Sequence, residues 1–239
     1  LAVIGEIRKK ALHFDTTICV RTLYHYIEKG LFLRLSPDHL PFKGIRKKKP
    51  CVKQIAKPPR GESIERRPQE VAERKIFGHW EMDCVCSANR DTHSLLTLVE
   101  RVTRKTIIVP LPAQKMKYVI EAMDGLERKF GKSFSTVFKT ITVDNGREFS
   151  DCKALERSAL TPGEQRTKLY YCHPYCSCER GTNERMNREV RRKFPKTTKF
   201  KNVSATEVQK VEDWLNNYPR GILDYATPNE VHNSFMVTI

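Results

Sequence analysis

The chain has 239 residues, of which 44 are Lys or Arg and 28 are Asp or Glu, giving a formal net charge of +16 at pH 7. This length is enough for one large domain, or for a domain of about 150 residues with a smaller one beside it. Charged residues make up 30% of the chain, and no apolar run approaches the ~20 residues of a membrane-spanning helix, which excludes a transmembrane protein. No signal peptide is visible, and the start at Leu1 instead of Met indicates a fragment.

Residues 1–42 predict a small helical segment that binds DNA. Apolar residues recur at helical spacing over 1–11 and again over 20–31, and residues 15–17 offer a turn between the two stretches. Two helices joined in this way are typical of a helix-turn-helix-like segment, with a recognition helix over about 18–29. A helical hairpin that only packs has the same pattern, so DNA docking is one of two interpretations.

Residues 43–75 read as a basic linker. The stretch 43–60 holds eight Lys or Arg residues and no acid, among them Arg46, Lys47, Lys48 and Lys49. Such a segment cannot fold by itself, but it can lie along phosphates and release their counterions. The alternative is a tether that only improves solubility.

Residues 76–239 have the texture of a mixed α/β domain. A crossover through a helix favours parallel pairing, so meander-like strands followed by a helix and further strands predict a mixed sheet flanked by helices. The predicted strands are 80–86, 95–101, 105–111, 135–143 and 167–171. The predicted helices are 115–130, 148–158, 177–194 and 204–217.

The eight cysteines are interpreted as free thiols, because a basic chain without a secretory signal favours a reducing compartment. Zinc is the alternative, since Cys172 lies beside His173 and two further cysteines follow. The chain nevertheless lacks the paired Cys-x2-Cys spacing of a zinc knuckle.

Three acids stand out in this basic chain. Asp83 lies within the first predicted strand of the core, Asp144 ends the fourth in an Asp-Asn-Gly turn, and Glu184 lies on the long helix that follows. Carboxylates about 4 Å apart repel by roughly 4 kcal/mol per pair at an effective dielectric near 20, so a converging trio needs a cation. Oxygen ligands suit Mg2+ or Mn2+. Taken singly, each acid also fits a surface strand residue, a turn former or an ordinary helix acid.

Each of these acids lies in a distinctive motif: GHWEMD at 78–83, TVDNGREF at 142–149 and HPYCSCERGTNERMN at 173–187. Together these motifs resemble those of a known family, the bacterial DDE transposases of the insertion-sequence-thirty type. Further likeness lies at 95–101, 194–196, 214–220 and 227–228, so the resemblance covers nearly the whole chain from Glu65 onward.

The resemblance implies a ribonuclease-H-like integrase catalytic core, with Asp83, Asp144 and Glu184 as catalytic residues that bind two Mg2+ ions, for which Mn2+ can substitute. It implies DNA strand cleavage and transfer at insertion-sequence ends, with the terminal inverted repeats and target DNA as partners. It also implies a homo-oligomer in the synaptic complex and a cytoplasmic, nucleoid-associated protein. Two departures are a longer spacing from Asp144 to Glu184 and the residues Met82 and Cys84 beside Asp83.

The long predicted helix is also expected to contact DNA. Arg180 and Asn187 would hold phosphate or orient a metal-bound group, whereas a structural alternative has Asn183 capping the helix and Arg180 solvated. The remaining expected DNA contacts along this helix and its exit are Arg188, Arg191, Arg192 and Lys196.

Two other functions compete with transposition. A hydrolytic nuclease can use the same fold and the same acids. A DNA-binding regulator, or an inactive transposase remnant, fits a chain that begins midway through its recognition region, although Asp83, Asp144 and Glu184 are all present.

Overall fold

The computed structural model describes residues 2–40, 61–173 and 177–237. These residues form two compact units. The smaller unit contains residues 2–40 and 219–227, and the larger contains 61–218 and 228–237. No helix in the described ranges is both long and apolar enough to cross a membrane.

The smaller unit contains the two helices expected near the N-terminus, α1 (Ala2–Lys9) and α2 (Val20–Glu28). Ile4 and Ile27 are its buried apolar anchors. The ring of Tyr225 packs where a side chain on Gly5 would stand, so this contact requires glycine. The two predicted helices are confirmed, and their role in DNA recognition stays a prediction.

The larger unit is built on one five-stranded mixed sheet. Its strands are β1 (His79–Cys86), β2 (Ser94–Glu100), β3 (Thr106–Leu111), β4 (Thr140–Val143) and β5 (Lys168–Tyr171). The strand order is β3-β2-β1-β4-β5. Strands β1 to β3 pair antiparallel, while β4 and β5 run parallel to β1. This order and these directions confirm the expected ribonuclease-H-like α/β fold.

Helices cover both faces of the sheet. Their bounds are α3 (Gln69–Glu73), α4 (Met116–Phe130), α5 (Phe134–Val137), α6 (Cys152–Glu156), α7 (Gly181–Lys193), α8 (Ala205–Asn216) and α9 (Pro228–Met236). Side chains alternate along β1. Trp80 and Met82 therefore enter the core beneath α4 and α5, and Val85 enters the second core beneath α7 and α8. Glu81 and Asp83 share the α7 face with Val85.

Two predicted elements were wrong in extent. The strand expected over 135–143 is helix α5 followed by the four-residue strand β4. The ring of Phe138 stacks on Phe134 and on Trp80 with centroids 4.5 Å apart in both pairs, and this aromatic packing outweighs the strand propensity of the segment. The helix expected over 148–158 is a 3-10 turn at Arg147–Phe149 and the short helix α6.

Part of the predicted linker is described. Residues 61–75 hold a 3-10 helix (Ile64–Arg66) and α3, and Ser63 forms a bridge with Tyr171 at the end of β5. Residues 43–60 lie outside the described residues.

Candidate active site

The sheet brings two of the predicted acids side by side on neighbouring strands. Parallel pairing aligns Glu81 of β1 with Thr142 of β4. Two residues further along each chain stand Asp83 and Asp144, so both carboxylates lie at the same place on neighbouring strands. The carboxyl edge of a sheet is where open α/β folds commonly bind ligands.

A guanidinium joins the two carboxylates. Arg180 Nη2 donates to Asp144 Oδ2 at 2.8 Å, and Arg180 Nη1 lies 3.3 Å from Asp83 Oδ1. The Arg180 side chain is only 13% exposed, against 23% for Asp83 and 40% for Asp144. Arg180 is therefore a partly buried cation shared by both acids, and the alternative of a solvated Arg180 is wrong.

The charges around Asp83 oppose one another. Burial raises the pKa of Asp83, the positive charge of Arg180 lowers it, and the negative charge of Asp144 raises it further, for a net rise. Burial lowers the pKa of Arg180, but Asp83 and Asp144 outweigh that effect and raise it. The guanidinium thus remains charged and stabilises the ionised carboxylates.

Helix α7 reaches the same place from the other side. Asn187 Nδ2 donates to Asp83 Oδ2 at 2.9 Å, and Thr97 Oγ1 donates to Asn187 Oδ1 at 2.9 Å. Thr97 is the β2 partner of Asp83 in the sheet register. Asn187 therefore orients Asp83 in this structure, while its proposed phosphate contact stays a prediction.

The start of α7 is fixed by a buried acid that sequence reasoning passed over. Glu81 Oε2 accepts a hydrogen bond from the backbone N–H of Asn183 at 2.8 Å, and Arg101 Nη1 donates to Glu81 Oε1 at 2.7 Å. Both side chains of this ion pair are at most 4% exposed. An anion at a helix N-terminus satisfies free N–H groups and complements the helix dipole. The sequence does mark Glu81 as unusual, because this acid lies between the apolar residues Trp80 and Met82 in a strand that is expected to be buried.

Glu184 lies on the first turn of α7 and faces solvent. Its side chain is 51% exposed, and Arg188 Nη2 donates to its Oε1 at 3.0 Å. Across the described ranges, no group of three or more His, Cys, Asp or Glu side chains is close enough to hold a metal ion. Asp83 and Asp144 are brought together, whereas the joining of Glu184 to them stays a prediction.

Another carboxylate, that of Glu148, lies beside Asp144. A Cβ placed on Gly146 would meet Glu148 Oε2 at 2.6 Å and Asp144 Oδ1 at 2.8 Å, so both oxygens face the same small space. Glu148 is buried and accepts a hydrogen bond from Gln114 Nε2 at 2.5 Å. Burial raises the pKa of the nearby Cys84 thiol, and the charge of Glu148 raises it further. The sequence Asp-Asn-Gly-Arg-Glu holds this acid, but its spacing alone did not reveal the contact.

Several of the expected DNA contacts have protein partners in the structure. Arg191 donates to the carbonyl oxygen of Cys86. Arg192 Nη1 donates to Glu189 Oε2 at 2.6 Å. Lys196 is exposed. Arg46, Lys47, Lys48 and Lys49 lie outside the described residues, and all these DNA contacts stay predictions.

Five of the described cysteines form no disulfide; they are Cys19, Cys84, Cys86, Cys152 and Cys172. His173, the candidate zinc partner, is bound by two acids instead, with Nδ1 2.7 Å from Glu179 Oε1 and Nε2 3.1 Å from Glu65 Oε1. Hydrogen bonds that these carboxylates accept from the protonated ring raise the pKa of His173. Cys51, Cys176 and the side chain of Cys178 lie outside what the structure describes.

The acidic pair suits a divalent cation in its chemistry. Asp83 and Asp144 offer only carboxylate oxygens, the ligands that Mg2+ and Mn2+ prefer. The two groups already share the positive charge of Arg180.

Curated relatives match the chain along most of its length. A probable transposase for the insertion-like sequence element IS1161 of Streptococcus salivarius is 33% identical over 221 residues, which is 92% of this chain and 60% of that protein. The transposase InsI for insertion sequence element IS30A of Escherichia coli (strain K12) is 32% identical over 228 residues, covering 94% of this chain and 57% of that protein. The chain thus spans somewhat more than half the length of these relatives.

A solved structure and the known protein-family models were also compared with the chain. The catalytic core domain of BIV integrase superimposes with a TM-score of 0.49 at 17% identity, covering 68% of this chain and 98% of that one. No protein-family model matches the chain.

Proposed function

We propose that this chain, a homologue of the IS30 transposases along more than nine tenths of its length, is itself a DDE transposase that cleaves DNA at insertion-sequence ends and joins those ends to target DNA. The observation that carries the proposal is that Asp83 and Asp144 lie side by side on neighbouring parallel strands and share the guanidinium of Arg180. Two neighbouring carboxylates that already bind one cation suit the divalent metal ions that catalyse phosphodiester chemistry.

Asp83, Asp144 and Glu184 would hold two Mg2+ ions, or Mn2+ in their place. When bound, such ions activate an attacking oxygen and stabilise the leaving oxygen of a phosphodiester. The guanidinium of Arg180 must leave the carboxylates to make room. Asn187 would keep Asp83 oriented through the bond that it already makes.

The reaction needs no nucleophilic side chain. In cleavage, a water oxygen attacks the phosphorus at the transposon end, the P–O3′ bond breaks, and the released 3′ oxygen takes a proton. In joining, that 3′-hydroxyl attacks a phosphorus of the target, so one P–O bond forms as another breaks and the hydroxyl proton passes to the leaving oxygen. The protein holds the reacting groups and stabilises the charge at phosphorus.

DNA would be bound by several parts of the chain. The helices of residues 1–42 would recognise the terminal inverted repeats, and the basic residues 43–60 would lie along the backbone. Arg188 and Lys196 would contact phosphates beside the acidic pair. Two ends must be held together for joining, so the active form would be a homo-oligomer. It would act on DNA at the bacterial nucleoid, in the cytoplasm.

A strand-transfer assay tests this function. The purified chain is incubated with Mg2+, a target duplex and pre-cut DNA ends that carry the inverted repeats flanking its reading frame. Joined products are expected. Hydrolysed products alone would make the chain a nuclease, and tight end-binding with no metal-dependent cleavage would make it a regulator.

A further inference from the structure

Two segments of the larger unit are joined just beyond the end of β1. The loop of residues 87–93 leads from β1 to β2, and residues 195–203 follow α7. The backbone N–H of Ala88 donates to the carbonyl oxygen of Thr198 at 3.0 Å, and the backbone N–H of Phe200 donates to Ser87 Oγ at 2.8 Å. The two segments therefore form one surface.

A single buried carboxylate holds this surface together. The Asp91 side chain is 2% exposed and accepts hydrogen bonds from Ser87 Oγ at 2.5 Å, His93 N at 3.1 Å and Lys201 N at 3.0 Å. Burial raises the pKa of Asp91, but these hydrogen bonds outweigh it and hold the pKa well below its usual range. Asp91 is thus a permanent anion that organises both segments from within.

The exposed charges of the surface are all positive. Within residues 87–93 and 195–203, all of which the structure describes, Asp91 is the one acid, and it is buried. Arg90 has a left-handed backbone with φ 66°, at the tip of a turn closed by the bond from Asp91 N to the Ala88 carbonyl at 3.1 Å. The exposed cations are Arg90, Lys196, Lys199 and Lys201, and together they are called the Asp91 surface.

The Asp91 surface lies just beyond the C-terminal end of β1, the end that carries Asp83. Strand β1 continues from Asp83 to Cys86 and then enters the loop. At about 3.3 Å per residue, Ser87 is roughly 13 Å from Asp83, the axial rise of about four base pairs. A duplex that places one phosphate at the acidic pair and runs along the direction of β1 would reach the Asp91 surface.

We infer that the Asp91 surface binds the phosphate backbone of duplex DNA next to the acidic pair. Exposed Lys and Arg side chains contact phosphates without reading bases, so the contact positions DNA and adds no sequence specificity. The inference rests on the proposed function, because it names a binding surface for the same substrate.

Asp91→Asn separates an organised surface from simple charge. The substitution adds one unit of positive charge to the chain, so a purely electrostatic attraction would tighten DNA binding. The Asp91 surface instead loses the anion that orders it, and we expect the Kd for a 30-base-pair duplex of arbitrary sequence to rise about fivefold. Equal or tighter binding would overturn the inference.

Removing two of the cations gives a second test that does not depend on the buried acid. Lys199→Gln with Lys201→Gln should weaken binding and reduce the slope of log K against log salt by about two. The matched control is Lys129→Gln with Lys132→Gln, which removes equal charge from exposed positions in the last turn of α4 and just beyond it. These positions precede β4 and so lie at the opposite end of the sheet. Equal losses in the two double variants would overturn the inference.

The failure of the proposed function has a different result. If the unaltered chain binds no duplex at any salt concentration, the transposase proposal itself fails. If it binds and joins DNA while the Asp91 and lysine variants match the unaltered chain, the function stands and the Asp91 surface is rejected.

Discussion

Arg180 Nη2 lies 2.8 Å from Asp144 Oδ2, and the second terminal nitrogen of the same guanidinium reaches Asp83. One side chain thus contacts two of the three acids of the proposed metal centre. Because the same two carboxylates would bind a divalent ion, the guanidinium and the metal would compete for them.

Removing Arg180 should therefore improve metal binding. A charge-assisted hydrogen bond contributes about 1.5–3 kcal/mol, so Arg180→Gln should tighten Mn2+ binding at least about tenfold. Titration calorimetry with Mn2+ in the absence of DNA measures this directly. Arg192→Gln removes the same charge from α7 and should leave the affinity as it was; unchanged or weaker binding in Arg180→Gln would contradict the competition.

The buried pair of Glu81 and Arg101 should stabilise the larger unit. Removing one partner of a buried ion pair costs about 3–5 kcal/mol, and Glu81 also caps α7, so Glu81→Gln should lower the free energy of unfolding by that amount. Urea unfolding followed by fluorescence reports on this unit, because the two tryptophans of the chain, Trp80 and Trp214, both belong to it.

A double-mutant cycle supplies the control for that prediction. Arg101→Met with Glu81→Gln removes the unpaired buried charge and should recover part of the loss. If the two single substitutions are simply additive, the pair does not stabilise the fold as described.

Stability should fall as the solution becomes acidic. Burial and the charges of Lys139 and Arg101 lower the pKa of His79 to about 4. The unfolded value is about 6.5, so the folded state binds fewer protons between these two values, and stability is fully present above pH 6.5 and lost as pH falls to 4. The loss is about 3 kcal/mol, and His79→Gln should flatten the curve measured by tryptophan fluorescence. A curve that is equally steep in the variant would contradict this assignment.

Gly146 should be essential to the acidic pair. Its φ of −59° suits any residue, but a Cβ there would stand 2.8 Å from Asp144 Oδ1. Gly146→Ala should therefore displace this carboxylate and reduce Mn2+ affinity, with little loss of stability, because the atoms that a Cβ would meet are the ends of side chains that can move. Gly125→Ala is the control, since its Cβ meets nothing within 4 Å and alanine favours the helix α4 by up to about 1 kcal/mol. Normal Mn2+ binding in Gly146→Ala would show that the space is not needed.

Much of this structure could be predicted because the sequence encodes it locally. The strand patterns and the Asp-Asn-Gly turn were enough to place Asp83 and Asp144 on a mixed sheet, since residue alternation and turn chemistry act over a few residues. The helix α5 could not be read from its β-rich sequence, because aromatic stacking on Trp80 decides it.

The contacts of the site depend on residues far apart in the chain. The sequence predicts that Arg180 holds phosphate or orients a metal-bound group, whereas in the structure it contacts Asp83 and Asp144, which are 97 and 36 positions away. Glu81 alternates with core residues in the sequence, but its partners, Arg101 and the backbone of Asn183, are 20 and 102 positions away. Such pairings follow from strand order and helix packing, which no short motif specifies.

The most direct test of the central claim is strand transfer by Glu184→Gln, because Glu184 is the one proposed metal ligand that lies apart from the acidic pair. Mutating a residue that only hydrogen-bonds to a metal ligand typically reduces metal affinity or activity about 10–100-fold. Losing a direct ligand should therefore reduce the joining rate more than about 100-fold, while the Kd for end DNA stays within about twofold. Glu189→Gln, an acid of the same helix, should join DNA at the unaltered rate. A Glu184→Gln chain that joins DNA normally would contradict the three-carboxylate account.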